Sequence, residues 1–351
     1  MRIYLVSCVV SLALLCLCLD AQTFTNPLLE SGADPWLAFR DGFYYFISTG
    51  GGGLAISKTR GISDLRTAER KVVWKPPASG PYSRQIWAPE LHFINGKWYI
   101  YFAADAGTNP GHRLWVVENS SADPLQGEWV MKGKVSDPTD KWAIDGTVFE
   151  HRGRLYMAWS GWGGDVNGTQ SIYLARMKNP WTVAGKRVMI STPEYPWEKV
   201  GDLKPGKDAA ADPPHVDVNE GPAVLKRGDK IFLAYSASGC WTDFYGLGLL
   251  TASSSSDLMK ASSWKKSPEP VFSTSPEARA FGPGHNSFFQ SPDGKQDWIL
   301  YHANPGPGQG CGGNRSPRAQ PFTWGPDGNP VLGSPVPLGK PIPRPSGEQI
   351  Q

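Results

Sequence analysis

Val218-Asn219-Glu220-Gly221-Pro222-Ala223-Val224-Leu225, followed by Lys226-Arg227-Gly228-Asp229-Lys230 and then Ile231 to Ser236, reads as a strand, a tight polar turn and a second strand. A carboxylate stands at the mouth of the first strand, eight residues before the turn glycine. The same layout occurs twice upstream, with Asp34 eight before Gly42 and Asp145 eight before Gly153. The turn itself recurs five times, at Asp41-Gly42, Asn95-Gly96, Arg152-Gly153, Arg227-Gly228 and Asp293-Gly294. Glycine supplies the positive φ that a short hairpin needs. Each turn leads into a strand with aromatic and β-branched residues on alternating faces, as in Trp98-Tyr99-Ile100-Tyr101-Phe102.

Successive turn glycines lie 54, 57, 75 and 66 residues apart. A unit of that size with about four strands is a propeller blade. Leu114 to Glu118, Ile172 to Met177 and Leu247 to Thr251 supply outer strands, each followed by turn residues and a Trp-bearing segment. The expected fold is therefore all-β, a five-bladed β-propeller. A generic β-sandwich gives no reason for long repeats of one motif.

Met1-Arg2, an apolar run from Ile3 to Leu19 and then Asp20-Ala21-Gln22 make a secretory signal peptide, expected to cover residues 1–21. The propeller is expected over 22–335, and the Pro-rich residues 336–351 read as a tail. No second apolar stretch is long enough to cross a bilayer, so the reading is a secreted, extracellular protein with no membrane partner. Three of the five cysteines leave with the signal. Cys240 and Cys311 remain, either paired in an oxidising compartment or as two buried thiols. Three Asn-x-Ser/Thr triplets, at Asn119, Asn167 and Asn314, suit a secreted glycoprotein.

Net charge is +3 with no Lys/Arg block, which excludes the basic face that nucleic acid requires. The 15 tryptophans exceed what a core alone explains, and indoles stack well on sugar rings. No G-x-S-x-G and no H-E-x-x-H is present, which removes the commonest serine-hydrolase and zinc-protease signals. Gly50 to Gly53 with Ser57-Lys58-Thr59 lacks the spacing of a phosphate loop and reads as a turn.

In a propeller the innermost strands run beside the axis, so Asp34, Asp145 and Glu220 in blades one, three and four converge. Buried like charges are costly unless a site uses them. Two carboxylates, one protonated and one ionised, are the machinery of glycoside hydrolysis. A third can orient the acid and disfavour its ionisation. A simple lectin has no need of a raised-pKa acid.

These segments resemble glycoside hydrolase family 43, over about residues 26–335. Ala33-Asp34-Pro35-Trp36, Trp87-Ala88-Pro89-Glu90, Ile144-Asp145-Gly146-Thr147, Asn219-Glu220-Gly221-Pro222 and Gly284-His285-Asn286-Ser287 carry the likeness. It implies a five-bladed propeller that hydrolyses arabinose- and xylose-containing plant polysaccharides with inversion. Asp34 would be the general base, Glu220 the general acid and Asp145 the residue that tunes and orients the acid. In an inverting pair the two carboxyls lie roughly 6.5–9.5 Å apart, leaving room for water. The resemblance places His285 on the axis, near a calcium or sodium ion held mainly by waters, and requires no other cofactor. Trp36, Trp87, Glu90, Trp162, His285 and Arg318 are the expected substrate-binding residues. The long Pro/Asp/Lys-rich segment Thr192 to Val218 is expected to wall the pocket.

The blade-five ending and the lack of room for a C-terminal β-sandwich look most like exo-acting α-L-arabinofuranosidases on α-1,5-arabinan. A monomer acting on arabinose-containing oligo- or polysaccharide follows. β-Xylosidase and endo-arabinanase of the same family are the alternatives, and a non-catalytic sugar-binding propeller is the reading from a different class.

Overall fold

The computed structural model describes residues 23–50, 52–203 and 213–349. The expected signal peptide lies outside them. Strands buried on both faces, such as Lys97–Asp105 with eight of nine residues buried, need packed sheets on either side. Five four-stranded antiparallel units arranged in a ring provide this. Their innermost strands are Ala33–Arg40, Arg84–Ile94, Ala143–His151, Asp217–Arg227 and Phe281–Gln290. The five-bladed propeller read from the repeats is the observed fold.

Each core lies between neighbouring blades rather than within one. Trp98, Phe102 and Trp115 pack with Tyr45 and Ile47 between blades one and two. Tyr101, Trp142, Met157 and Trp159 fill the space between blades two and three. Blades three and four share Tyr156, Leu174, Leu233 and Tyr235; here Thr169–Gln170 also pairs in parallel with Asp217–Val218, joining two blades into one sheet. Leu247, Phe272 and Tyr301 fill the gap from four to five.

Between blades five and one the ring is closed by both ends of the described chain. Leu28 and Gly32 donate backbone hydrogen bonds to Pro317 and Arg315 of blade five. Asn26 bonds Ala319 twice, donating to its carbonyl and accepting from its N–H at 3.0 Å each. The Pro-rich segment read as a tail is part of this closure. Ile342–Pro343 pairs with Thr23–Phe24, and the Glu348 carboxylate accepts from the Ile62 N–H at 3.0 Å. Apolar residues among the prolines explain the difference: Ile342 is 4% exposed and packs with Phe24, Leu37 and Trp298.

Of the three glycosylation triplets, only Asn314 is exposed. Asn119 is buried, with its amide donating to Gln126 and its oxygen accepting from Ser121.

Asn26 is 2% exposed, so replacing it leaves the Ala319 N–H and carbonyl buried without partners. Asn26→Ala is expected to cost about 2–4 kcal/mol, read as a lower urea midpoint with the folded-state circular dichroism unchanged.

Candidate active site

Every innermost strand carries a bulge at the same height. Register slips fall between Ala33/Trp36, Trp87/Glu90, Ile144/Thr147, Glu220/Ala223 and Gly284/Ser287. The residue in the left-handed region is Asp34 (φ 54°), Ala88 (45°), Asp145 (57°), Gly221 (53°) or His285 (45°). Non-glycine residues rarely adopt such angles, and a bulge re-aims side chains near a sheet edge. A hydrogen bond to another blade holds most of these peptides. The Asp34 N–H donates to His302 Nδ1 (3.0 Å), that of Ala88 to Thr49 Oγ1 (2.7 Å) and that of His285 to Ser236 Oγ (2.7 Å). Gly221 N–H donates to Asp145 Oδ2 at 3.0 Å.

This register corrects one expectation. Asp34 and Asp145 are equivalent, but Glu220 is not their third copy, because Gly221 is. The turn differs in blade four: Arg227 pairs with Lys230, so Gly228 is the first loop residue, whereas Arg40 pairs with Phe43 and Gly42 is the second. The shared eight-residue offset therefore hides a shift of one. Glu220 stands opposite Ser236 as Ala33 stands opposite Thr49. Its carboxylate still reaches the axis because the bulge follows it.

Asp34, Asp145, Glu220 and His285 line one pocket of about 370 Å³. Burial acts to raise Asp34, but its polar partners together outweigh it, chief among them Arg315, with its Nη1 3.1 Å from Asp34 Oδ1. The Thr49 hydroxyl adds a 2.6 Å hydrogen bond. Asp34 is thereby held ionised, well below the usual carboxylate range. His285 Nδ1 lies 3.3 Å from the same oxygen. Burial pushes both His285 and His302 down, so neither forms an ion pair with Asp34 at neutral pH.

Glu220 is the opposite case. Burial, aided by the Asp34 charge, pushes it up to about 7, against the Tyr245 hydroxyl that donates to its Oε1 at 2.8 Å. Burial and then the Glu220 and Asp34 charges raise Asp145 as well. Asp145 and Glu220 thus form an interacting pair, both pushed up by burial. The site holds an ionised carboxylate and a protonated one facing the same space, which is what general base and general acid require.

Of the expected substrate-binding residues, Trp87 and His285 line the pocket. Trp36, Glu90, Trp162 and Arg318 do not. Trp36 turns away, donating its indole N–H to Leu91 O at 2.8 Å and packing on His92. Trp162 lies behind Trp142, stacked at 4.8 Å, and Trp142 takes the wall position. Glu90 is buried beside His92, Nε2 to Oε2 2.8 Å, and burial keeps its carboxyl protonated. Arg318 is fully buried on the third strand of blade five. Arg315, three residues earlier, is the arginine that reaches the pocket. Arg315 belongs to the loop just before that strand, at the mouth, whereas Arg318 lies within the strand and is buried in the sheet.

Sequence reading also missed Thr49, Asn109, Gln170 and Trp241 in the lining, and Tyr245 against Glu220. Nothing in their local sequence marks them. Cys240 and Cys311 do pair, with Cα atoms 5.3 Å apart, and both face the pocket. The expected wall from Thr192 to Val218 contributes Leu203 and Val216; residues 204–212 lie outside the described part. Its start is anchored by buried Glu198, which binds Lys266 (2.8 Å), Asn219 (3.0 Å) and Tyr235 (2.9 Å).

Asp145, Glu220 and His285 bring three ligand atoms within 4.8 Å of one another. One imidazole and two carboxylates do not suit a calcium ion, which takes six to eight oxygens. A cation there would also keep Glu220 ionised. These three atoms do not by themselves make a calcium cage, and no step below uses a cation.

Residues 24–330 match the sequence profile described as glycosyl hydrolases family 43. An "extracellular exo-alpha-(1->5)-L-arabinofuranosidase" of Streptomyces avermitilis is 41% identical over 324 residues, 90% of this chain and 64% of that protein. A protein of the same description from Streptomyces chartreusis is 40% identical over 80% of this chain and 82% of its own. The chain thus spans less than two thirds of the first of these relatives and about four fifths of the second. The crystal structure of an α-L-arabinofuranosidase from Lactobacillus brevis superposes with a TM-score of 0.81 at 38% identity, covering 90% of this chain and 98% of that one. With the profile spanning nearly all the described residues, and an ionised and a protonated carboxyl meeting on the propeller axis, the chain belongs to glycosyl hydrolase family 43.

Proposed function

We propose that the protein is a secreted, exo-acting α-L-arabinofuranosidase that releases arabinose, with inversion, from arabinan or arabinose-substituted plant polysaccharide. One observation carries the chemistry: Asp34 held ionised by Arg315 and Glu220 held protonated by burial face the same pocket. The choice of sugar is supported by the relatives, whose names specify arabinofuranosidase. The word extracellular in two of those names supports secretion, as does the leader. Among the described residues no helix is long and apolar enough to cross a membrane.

In this reading Asp34 takes a proton from a water as the water oxygen attacks the anomeric carbon. Glu220 gives its proton to the glycosidic oxygen as the bond from that carbon breaks. Asp145 orients the acid by accepting from the Gly221 N–H next to it. Trp87, Trp142 and Trp241 supply apolar walls on which a sugar face can pack. A pocket of about 370 Å³ suits one terminal sugar and part of its neighbour. That size favours release from a chain end over cleavage within a polymer.

Glu220→Gln removes the proton donor. It is expected to slow arabinose release from arabinan by about 10³-fold, and much less from an aryl α-L-arabinofuranoside whose leaving group needs no proton. Asp34→Asn is expected to lose both activities alike. No release by the wild type from arabinan or from either aryl glycoside would leave a sugar-binding propeller as the better reading, and release only from an aryl β-xyloside would favour the xylosidase.

The pH profile follows from the two charge states. Activity needs Glu220 protonated, so kcat/KM is expected to fall as pH rises through about 7. It also needs Asp34 ionised, so the acid limb is expected below the ordinary carboxylate range. Initial rates of arabinose release from arabinan, whose leaving group needs the proton, measured from pH 3 to 9 test this. A fall centred near pH 4.5 on the alkaline side would contradict the assignment of the acid.

A further inference from the structure

The segment from Pro305 to Arg315 contains glycine at positions 306, 308, 310, 312 and 313. Glycine loses more conformational freedom on ordering than any other residue, so a stretch like this holds one shape only if it is tethered. Its last residue, Arg315, is the one that reaches Asp34, at 3.1 Å. Two further contacts set the aim of that side chain. Nη2 donates to the Cys311 carbonyl at 2.8 Å and Nε to the Gly312 carbonyl at 3.3 Å. The guanidinium is thus steered by the backbone of the cross-linked cysteine itself.

Cys311 is bonded to Cys240, which lies just after the second strand of blade four. The partner loop is itself well held. Gly239 N–H donates to Val200 O at 2.8 Å, and Trp241 Nε1 donates to Asp202 O at 2.9 Å. A second tie between the loops runs from the Gly308 N–H to the Asp243 carboxylate at 2.9 and 3.0 Å. It lies on the far side of Gly310 from Arg315 and cannot by itself fix residues 311–315.

We propose that the Cys240–Cys311 disulfide is a positioning element for the reaction, holding the glycine-rich loop of blade five so that Arg315 stays on Asp34. The cysteines touch neither the scissile bond nor the water; they act through Arg315. The proposal rests on the reading of Asp34 as the base. It makes the cross-link part of the active site as well as a staple between two blades. Both cysteines line the pocket, so a sugar bound there also shields the bond from small thiols.

A double-mutant cycle on the full chain separates this role from a stabilising one. The expected result is that Cys240→Ser/Cys311→Ser lowers kcat/KM for an aryl α-L-arabinofuranoside about ten-fold or more when Arg315 is present, and less than about two-fold in an Arg315→Ala background. A staple that only stabilises the fold costs the same factor in both backgrounds, and that outcome overturns the proposal. If the serine variant does not fold, the native enzyme is treated with dithiothreitol, which supplies the two electrons and two protons and becomes its own cyclic disulfide. Loss of activity in the wild type but not in Arg315→Ala, slowed by added arabinose, supports the proposal; unchanged activity after both thiols are confirmed by mass overturns it. Asp34→Asn serves as the control, because full activity in that variant rejects the reading of the base and not the role of the disulfide.

Discussion

The structure depends on one repeated distortion: a bulge in each innermost strand that puts a residue into the left-handed region at the mouth of the axis. A regular strand would point these side chains into the gaps between blades. The bulge turns them inward and costs on the order of 1–2 kcal/mol at each non-glycine position. Hydrogen bonds to another blade offset that cost, from Asp34 to His302, Ala88 to Thr49 and His285 to Ser236. The strain is therefore carried by the ring, and a blade taken alone could not hold it. Neutral His302 shows the coupling well: its Nδ1 accepts from the Asp34 N–H only because burial keeps the imidazole unprotonated.

On this frame, two equally buried carboxyls take opposite charge states. Asp34 has a guanidinium at 3.1 Å and a hydroxyl at 2.6 Å. Glu220 has a single phenol at 2.8 Å and the Asp34 charge nearby. Desolvation is the same in kind for both, so the difference in partners decides the outcome. Tyr245 is itself packed flat against His302 at 5.9 Å. Gly284 leaves the space for it, since a Cβ there would come within 2.3 Å of the Tyr245 ring. The packing of blade five against blade four thus reaches Glu220 through one aromatic ring.

Closure of the ring and construction of the pocket are also linked. The N-terminal segment that runs along blade five ends at Gly32, whose N–H is held by Arg315 O. Two residues later comes Asp34. Arg315 is therefore fixed from three sides: by the N-terminal segment at its carbonyl, by the turn at its guanidinium and by the disulfide through Cys311. The position where the ring is sewn together is the position where Asp34 is held ionised.

Periodicity alone sufficed for the fold, because alternating apolar residues and Asn/Asp/Arg-Gly turns are local properties repeated five times. The three carboxylates were also legible, since each sits beside a glycine or proline that a bulge needs: Asp34-Pro35, Asp145-Gly146 and Glu220-Gly221. Their exact relation was not, because counting from a turn glycine cannot reveal which of two loop positions that glycine occupies. Arg315 against Arg318, Trp142 against Trp162 and the partners Tyr245 and Thr49 were likewise beyond local reading. Each is chosen by cross-strand register and by packing between blades, contacts that span up to 281 residues, as from Asp34 to Arg315. Local sequence determined that acids and aromatics would meet on an axis. Only the closed ring decided which arginine, which tryptophan and which hydroxyl would meet them there.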